Sequence, residues 1–208
     1  MIIKFDEAFK KIDLMVRFEQ AEIVQTLHKQ FFMVNGLRSH KDYSKKFGDD
    51  YRLFVDSGKL NHSVIYQEAM DQINYAENTI VFMSQFVPDG SLLKRLISAT
   101  KRGVRVEVLT SPKTNVIFTQ YPTKLAYKYF IYKISKHPLI TCAHLSQDVH
   151  AKLLLIDDKK ALCGSHNYTY SGVLFGTEEI MMETTDQMLL NQIRSLLSSS
   201  KSSEKPTD

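Results

Sequence analysis

The residues best suited to chemistry lie in one apolar run, VHAKLLLID (149–157), which is typical of a β-strand. His150 and Lys152 are two positions apart in this run. Because side chains alternate along a strand, both are expected on one face, about 7 Å apart. An imidazole and an ammonium on the interior face of a strand are costly to bury unless an anion meets them. The pair therefore predicts an anion-binding site.

A second group of donors follows the next predicted strand, KKALCG (159–164), which returns antiparallel to the first. Ser165 and Asn167 come directly after it, so their hydroxyl and amide groups are expected beside the His150–Lys152 pair. An imidazole nucleophile, an ammonium and neutral donors together suit a pentacoordinate phosphorus transition state, whose negative charge is spread over its oxygens.

Each half of this pattern is ambiguous by itself, since a His-x-Lys pair is usually a solvated strand face and a Gly-Ser pair is usually a turn. Together they read H-x-K-x4-D-x6-G-S-x-N, which matches the HKD signature of the phospholipase D superfamily at every defined position. The segment SQFVPDGSLLKRLISATKRGVRVEVLTS (84–111) also resembles the cardiolipin synthase branch of that superfamily. The resemblance covers roughly residues 50 to 200.

The resemblance implies a two-step reaction without a metal or another cofactor. His150 would attack phosphorus and form a phosphohistidine. A second histidine, from a partner motif, would protonate the leaving alcohol and then activate water or an acceptor alcohol. Lys152 and Asn167 would bind the non-bridging phosphate oxygens, supported by Ser165.

The resemblance also implies an acid that orients the nucleophilic histidine. In many members it lies eleven residues after the asparagine of the motif, which is Glu178 here. Strand alternation lets only one of Glu178 and Glu179 face the site, and we expect Glu178, with Glu179 as the alternate. Asp157 lies at a strand end beside a turn, so we expect structural roles for Asp157 and Gly164.

The chain contains one such motif, whereas members of the superfamily need two. Five other histidines lack a lysine two positions on, and they are His28, His40, His62, His137 and His144. His166 lies within the motif itself. Two explanations stay open: two identical chains form the site across a two-fold axis, or a missing N-terminal half supplies the second motif.

An internal similarity bears on this choice. Residues 12–31 align without gaps with residues 178–197 as a strand followed by an amphipathic helix, and Asp13 falls opposite Glu179. The alignment is expected if residues 1–31 are the closing strand and helix of a preceding, related half. A generic strand–helix pattern can also produce it by chance.

The rest of the chain predicts an α/β fold. The predicted strands are 79–86, 104–110, 139–145, 149–157, 159–164 and 178–184, and the predicted helices are 62–78, 91–102, 121–138 and 186–197. Asn61 and Ser63 are the candidate caps of the first of these helices, and Ser91 and Asp186 are the expected caps of 91–102 and 186–197. The unit from 79 to 110 predicts two parallel strands joined by a right-handed crossover. These elements predict a layered α/β/α sandwich around a mixed, largely parallel β-sheet, the phospholipase D-like fold.

The domain prediction divides the chain into four parts. Residues 1–35 are expected to form a strand and helix resembling the end of a preceding half-domain, and residues 36–50 a linker. Residues 51–198 are the expected phospholipase D-like domain with one HKD motif. Residues 199–208 contain few apolar side chains and are expected to be a disordered tail.

The composition is that of a soluble globular protein, with 43% hydrophobic and 24% charged residues. No stretch approaches the roughly 18 apolar residues of a transmembrane helix. The first fifteen residues mix charges where a signal peptide needs an apolar core. A cytoplasmic location is therefore expected, with peripheral membrane contact as an option. Neither the two cysteines nor the net charge of +4 indicates a particular partner.

The chemistry predicts a phosphodiester substrate, with a phospholipid preferred and a nucleic acid as the alternative. The lysines and tyrosines of 121–138 suit an anionic lipid surface or a nucleic-acid backbone. An ordinary amphipathic helix that packs Leu125, Tyr129 and Phe130 inward is the simpler explanation of that segment. A third hypothesis is a non-catalytic half that needs a partner.

Overall fold

An eight-stranded mixed sheet with helices on both faces forms the centre of the molecule, and the computed structural model describes residues 11–35, 41–111, 121–134 and 136–202. The strands are β1 (Lys11–Ile12), β2 (Tyr43–Phe47), β3 (Tyr51–Ser57), β4 (Thr79–Met83), β5 (Arg105–Thr110), β6 (Ile140–His144), β7 (Asp148–Val149), β8 (Leu153–Ile156), β9 (Lys160–Gly164) and β10 (Glu178–Thr184). The helices are α1 (Ala21–Asn35), α2 (Val64–Tyr75), α3 (Gly90–Lys101), α4 (Tyr121–Ile134), α5 (Tyr170–Phe175) and α6 (Gln187–Ser202).

The strand order in the large sheet is β2-β3-β10-β9-β8-β4-β5-β6. β4, β5 and β6 run parallel, as the predicted strand–helix–strand unit requires. The other five pairings described within this eight-stranded sheet are antiparallel, so the α/β fold and the mixed sheet are confirmed, but "largely parallel" was wrong. The reason is that short turns join β2 to β3 and β8 to β9, and a short turn can only connect antiparallel neighbours.

Helices cover both faces of the sheet, which confirms the layered arrangement. On one face, side chains such as Phe82 and Leu154 pack in one core cluster with α2, α3 and α4. On the other face, Leu155 and Cys163 pack with residues of α6 such as Ile193. Because β8 is buried on both faces, it appears in the sequence as a continuous apolar run rather than an alternating one.

The run 149–157 is not one strand, contrary to the prediction. β7 ends at Val149 and β8 begins at Leu153. In between, the amides of His150 and Ala151 both donate to the carbonyl oxygen of Ile12, at 2.8 and 2.9 Å. Two consecutive amides that share one acceptor are incompatible with the alternation of a regular strand. The strand-alternation reason for placing His150 and Lys152 on one face therefore does not hold.

Three smaller differences concern the ends of elements. Residues 43–47, expected within a linker, form β2, and the helix expected to end at 197 continues to Ser202, into the expected tail. The rest of that tail, 203–208, lies outside the described residues. α3 begins one residue earlier than expected, at Gly90, with Asp89 rather than Ser91 in the capping position.

The predicted caps of the other two helices are present. The hydroxyl of Ser63 accepts a hydrogen bond from the amide of Tyr66, and a carboxylate oxygen of Asp186 accepts one from the amide of Leu189. Within the described ranges, no helix is both long and apolar enough to span a bilayer.

Candidate active site

His150 lies directly after β7, and its side-chain partner is Asp13. The parallel pairing of β1 with β7 places Ile12 opposite Val149, so the next residue of each segment meets the other. Asp13 Oδ2 is 2.9 Å from His150 Nδ1. Since an ionised carboxylate only accepts hydrogen bonds, the proton is assigned to Nδ1 and the lone pair to Nε2. About half of the imidazole surface, 52%, remains exposed, which leaves it accessible to a substrate.

The structure places Asp13, and not Glu178, against His150. Glu178 is exposed and lies at the end of β10 opposite Ser57. Its neighbour Glu179 instead faces the site, where its charge acts on Lys152. The alternate acid is therefore the one directed to the site, although it does not orient His150 in this chain.

Sequence analysis did not assign a role to Asp13, but one signal pointed to it. The internal similarity aligned Asp13 with Glu179, and these two carboxylates both act on the ammonium of Lys152. The two acids thus approach the same group from different segments. A family motif confined to residues 150–178 cannot identify Asp13, which lies more than a hundred positions earlier in the sequence.

Lys152 is buried, with 6% of its surface exposed, and its Nζ donates to the carbonyl oxygen of His150 at 2.6 Å. Burial lowers the pKa of Lys152, while the nearby charges of Asp13 and Glu179 raise it, and the net effect is a lowered pKa. A buried ammonium close to the nucleophile is well placed to bind a phosphate oxygen, because the phosphate would replace the lost hydration.

Ser165 and Gly164 hold the loop after β9 against β10. The Ser165 hydroxyl donates to the carbonyl of Ile180 at 3.2 Å and accepts from its amide at 3.0 Å. A Cβ at Gly164 would collide with the carbonyl oxygen of Ile180, so this approach requires glycine. These bonds give the Ser165 hydroxyl a positioning contact, and its expected contact with phosphate stays a prediction.

Asn167 is half-buried beside these groups, and its backbone carbonyl accepts from the hydroxyl of Ser84, which follows β4, at 3.3 Å. The loop 165–167 is thus fixed to both β4 and β10. His150 and Lys152 lie in the segment between β7 and β8, and Asn167 lies in the loop after β9, at the same end of the sheet.

The family model described as "Cardiolipin synthase, PLD-like domain" matches residues 69–200. The chain belongs to the phospholipase D superfamily. The match includes the whole of the motif from His150 to Asn167, and Glu178 and Glu179 of β10. None of the curated proteins compared with this sequence matches it significantly.

Solved structures of the superfamily have the same fold. Nuc from Salmonella typhimurium, a phospholipase D family member, is 19% identical, covering 67% of this chain and 88% of that one, with a TM-score of 0.54. NucT from Helicobacter pylori is 16% identical, covering 78% and 98%, with a TM-score of 0.56. Phosphatidylserine synthase from Haemophilus influenzae is 15% identical, covering 93% of this chain but 48% of that one, with a TM-score of 0.62. At these identities the similarity establishes the fold alone.

Within this phospholipase D-like fold, the carboxylate of Asp157 lies beside a turn and binds backbone amides. Its two carboxylate oxygens accept hydrogen bonds from the amides of Glu77, Asn78 and Thr79, at 2.7 to 3.0 Å. Burial would raise the pKa of Asp157, but these amide donors and the charge of Lys159 lower it below its ordinary value. Asp157 thus ties the start of β4 to the turn after β8.

His166, within the motif, is buried and uncharged. Its Nδ1 accepts a hydrogen bond from the amide of Tyr168 at 2.8 Å, so the single proton of the neutral ring is on Nε2. Burial lowers the pKa of His166 to about 4, and only 2% of its surface is exposed. It is therefore neither a nucleophile on the surface nor a cation for phosphate.

Two other histidines are held by partners elsewhere. His62 Nδ1 lies 2.8 Å from a carboxylate oxygen of Asp42. His144 lies between the Tyr127 hydroxyl, 2.7 Å from Nε2, and the Ser111 carbonyl, 3.0 Å from Nδ1. Neither histidine is part of the group formed by His150, Lys152 and Asn167.

Proposed function

We propose that this chain is a phospholipase D-type phosphodiesterase or phosphatidyltransferase in which His150 is the nucleophile. The single observation that supports this most strongly is the contact between Asp13 and His150 Nδ1, beside the buried ammonium of Lys152. The contact leaves the Nε2 lone pair directed away from the carboxylate, on a half-exposed ring. A nucleophile, its orienting acid and a phosphate-binding cation are then together.

In the first step, His150 Nε2 attacks phosphorus, and the bond from phosphorus to the leaving alcohol oxygen breaks. The phosphohistidine ring carries a positive charge, which the Asp13 carboxylate stabilises through Nδ1–H. Lys152 and the Asn167 amide nitrogen bind the non-bridging oxygens. In the second step, water or an alcohol gives up a proton, attacks phosphorus and breaks the P–N bond, which restores the lone pair of Nε2.

Protonation of the leaving alkoxide requires a second acid–base group, as does activation of the incoming oxygen. We assign it to a histidine of a second HKD motif, from a second copy of this chain or from a preceding half. Glu179 lies near Lys152 and is available to that group. The phosphatidylserine synthase of Haemophilus influenzae is about twice as long as the segment this chain spans. That length leaves room for a preceding half of similar size, which is the second of these two sources.

A phospholipid is the favoured substrate because α4 exposes an apolar and cationic face. Leu125, Tyr129 and Tyr132 are 63%, 53% and 56% exposed. Lys133 lies over the ring of Tyr129, with Nζ 5.1 Å from its centroid, and Lys136 lies over the ring of Tyr132 at 4.3 Å. Aromatic rings with adjacent ammonium groups suit the headgroup region of an anionic bilayer.

The simpler explanation predicted an ordinary amphipathic helix that packs Leu125, Tyr129 and Phe130 inward, and it was wrong for Leu125 and Tyr129. Phe130 is buried as expected, together with Tyr127 and Ile134 on the same face, but Leu125 and Tyr129 lie on the opposite, exposed face. The buried face is connected to the site. Tyr127 bonds His144, which contacts Ser111, whose hydroxyl accepts from the amide that precedes His150.

A nucleic acid is the second candidate substrate, because lysines beside exposed tyrosines also bind phosphate backbones and stack on bases. The same face therefore has to be tested with both ligands. To separate the two candidate substrates, binding of anionic vesicles and of single-stranded DNA is measured for the wild-type chain and for the double variant Tyr129→Ser/Tyr132→Ser. We expect the variant to lose binding to phosphatidylglycerol vesicles, and tighter binding of DNA than of vesicles would favour the second candidate.

The chemistry can be tested without the second motif by using bis(p-nitrophenyl) phosphate. Its leaving group is a weak base that needs no proton, so the first step is accessible to a chain with His150 alone. We expect a burst of p-nitrophenolate with EDTA present, and a covalent p-nitrophenyl phosphate adduct on His150 detected by mass spectrometry. Absence of the adduct in the wild-type chain, or its presence in His150→Asn, would overturn the proposal.

A further inference from the structure

A continuous series of hydrogen bonds joins α4 to the residue that precedes His150. Its members come from separate parts of the chain: Tyr127 lies on the buried face of α4, His144 ends β6, Ser111 follows β5, and Val149 ends β7. None of their side chains takes part in the proposed phosphodiester mechanism. The series therefore reaches the backbone beside the nucleophile without contacting the substrate.

The Ser111 hydroxyl holds Val149 at both of its backbone groups. It accepts a hydrogen bond from the Val149 amide at 2.9 Å and donates one to the Val149 carbonyl oxygen at 3.4 Å. Both residues are buried, so water is excluded from these bonds. On the other side, Ile12 of β1 is paired with Val149 and accepts from the His150 amide at 2.8 Å. β7 thus lies between Ser111 and the segment that carries Asp13.

His144 connects Ser111 to α4. Its Nδ1 lies 3.0 Å from the Ser111 carbonyl oxygen, and because a carbonyl oxygen only accepts, the proton is assigned to Nδ1. The lone pair is then on Nε2, which accepts from the Tyr127 hydroxyl at 2.7 Å. Burial raises the pKa of Tyr127 to about 12, so this hydroxyl keeps the proton that it donates. Every donor in the series therefore has an acceptor.

The position of β7 decides whether the nucleophile meets its acid. The contact between Asp13 and His150 depends on the pairing of β1 with β7, which comprises two residue pairs within the described part of the chain. A two-stranded pairing this short is marginally stable by itself, so β7 needs other contacts to hold its place. The Ser111 hydroxyl supplies them at the residue next to His150.

We infer that Ser111, His144 and Tyr127 are positioning residues for the nucleophile, and that they make its placement depend on the position of α4. A misplacement of about 1 Å at a reacting group costs about 10²-fold in rate, so contacts that fix β7 act on the rate from a distance. The inference rests on the proposed function, because it takes His150 as the group that attacks phosphorus. The helix proposed to meet an anionic lipid surface thus also helps to place the nucleophile.

Two single variants each remove one hydroxyl group from the series. We expect Ser111→Ala to lower the maximal rate of adduct formation with bis(p-nitrophenyl) phosphate by about 10- to 100-fold, and Tyr127→Phe by about 3- to 10-fold. The half-saturating concentration should change by less than about threefold, because the phosphate-binding side chains are not altered.

Ser200→Ala is the matched control for these variants. It removes another buried serine hydroxyl, one that donates to the Leu196 carbonyl within α6, and it should leave the rate and the half-saturating concentration unchanged. Urea denaturation of all three variants separates a loss of rate from a loss of folded protein. Maximal rates of Ser111→Ala and Tyr127→Phe equal to that of Ser200→Ala would overturn the inference.

The double variant Ser111→Ala/Tyr127→Phe distinguishes a connected series from two independent contacts. If Tyr127 acts on His150 through Ser111, loss of its hydroxyl has no further effect once the Ser111 hydroxyl is absent. We therefore expect the double variant to react at the rate of Ser111→Ala. His144→Asn keeps a donor for the Ser111 carbonyl and loses the acceptor for Tyr127, so its rate should match that of Tyr127→Phe. A rate loss in the double variant equal to the product of the two single losses would overturn the connection to α4.

The ring ¹⁵N resonances of His150 report its position without any reaction. We expect the wild-type chain to carry the proton on Nδ1, beside Asp13, and both single variants to show a mixture of the two tautomers. A wild-type chain that forms no adduct but shows this change contradicts the phosphodiesterase mechanism and not the positioning role. A chain that forms the adduct, with His150 resonances unchanged in both variants, contradicts only the positioning role.

Discussion

The carboxylate of Asp13 and the imidazole of His150 are 137 residues apart in the chain and 2.9 Å apart in the structure. The parallel pairing of β1 with β7 brings them together, and Asp13 Oδ1 is held in turn by the amide of Leu14 at 2.9 Å. The segment that begins with β1 is therefore part of the candidate site. Its loss would remove the acid that orients the nucleophile.

Asp13→Asn is expected to slow adduct formation with bis(p-nitrophenyl) phosphate by about 10²- to 10⁴-fold, because the amide can accept from Nδ1 only weakly and stabilises no ring charge. Stopped-flow absorbance of p-nitrophenolate measures the rate. The control is Glu19→Gln, an exposed carboxylate of the same segment that pairs with Arg17. A rate for Asp13→Asn equal to that of the control would show that the contact has no role in catalysis.

The alkaline limit of adduct formation should report on Lys152. Burial holds the pKa of Lys152 below its ordinary value of 10.5, so the protonated, phosphate-binding form is lost at a lower pH than for an exposed lysine. Glu179→Gln removes a charge that raises this pKa, and the alkaline limb of the pH–rate profile should move to still lower pH. Glu178→Gln should leave the limb in place, because Glu178 does not act on Lys152. A shift in Glu178→Gln alone would contradict the orientation of β10.

Asp157→Asn should lower the free energy of unfolding by about 1–2 kcal/mol, because its amide nitrogen replaces one of the oxygens that accept backbone N–H bonds. The rate of adduct formation on His150 should stay within about twofold of the wild-type rate. Urea denaturation and the same stopped-flow assay measure the two quantities. A large loss of rate without a loss of stability would instead make Asp157 a catalytic residue.

The buried, neutral His166 should make stability depend on pH. Its folded-state pKa is about 4, below the ordinary value of 6.5, so the unfolded chain binds more protons between these values. The free energy of unfolding should therefore fall as pH falls, by about 3 kcal/mol between pH 7 and pH 4 from this residue alone. His166→Asn does not titrate, and its denaturation should lack that part of the pH dependence. If the free energies of unfolding of the wild-type chain and of His166→Asn changed equally with pH, the buried position of His166 would be contradicted.

Gly176 ends α5 and packs closely against the loop after β3. Its φ of +66° lies in the left-handed region, and a Cβ would collide with the carbonyl oxygen of Gly58. Gly176→Ala should cost about 3 kcal/mol or more in unfolding free energy. Gly103→Ala is the matched control. Its φ is +93° but a Cβ would meet nothing within 4 Å, so only the conformational cost of about 1–2 kcal/mol applies. Equal losses of unfolding free energy in Gly176→Ala and Gly103→Ala would show that the structure relaxes and relieves the collision with Gly58.

Several features were predictable from sequence because local patterns encode them. The spacing from His150 to Asn167 indicated the family, and the family model confirms it. Continuous or alternating apolar runs indicated most strands and helices, since burial on one or both faces leaves that periodicity. The place of Asp157 beside a turn also favoured contacts with free backbone amides, and its structural role stays a prediction.

Tertiary structure alone decided which groups meet. Asp13 reaches His150 through a pairing of two short strands that no local pattern specifies, and the shared acceptor Ile12 interrupts the strand at His150. The exposed face of α4 could not be chosen from sequence, because tyrosines occur on both faces and both satisfy helical periodicity. His166 differs from an exposed histidine only through the packing of Tyr66 and Tyr168 around it. Such contacts join distant parts of the chain, and their free energy depends on the packed whole rather than on any one segment.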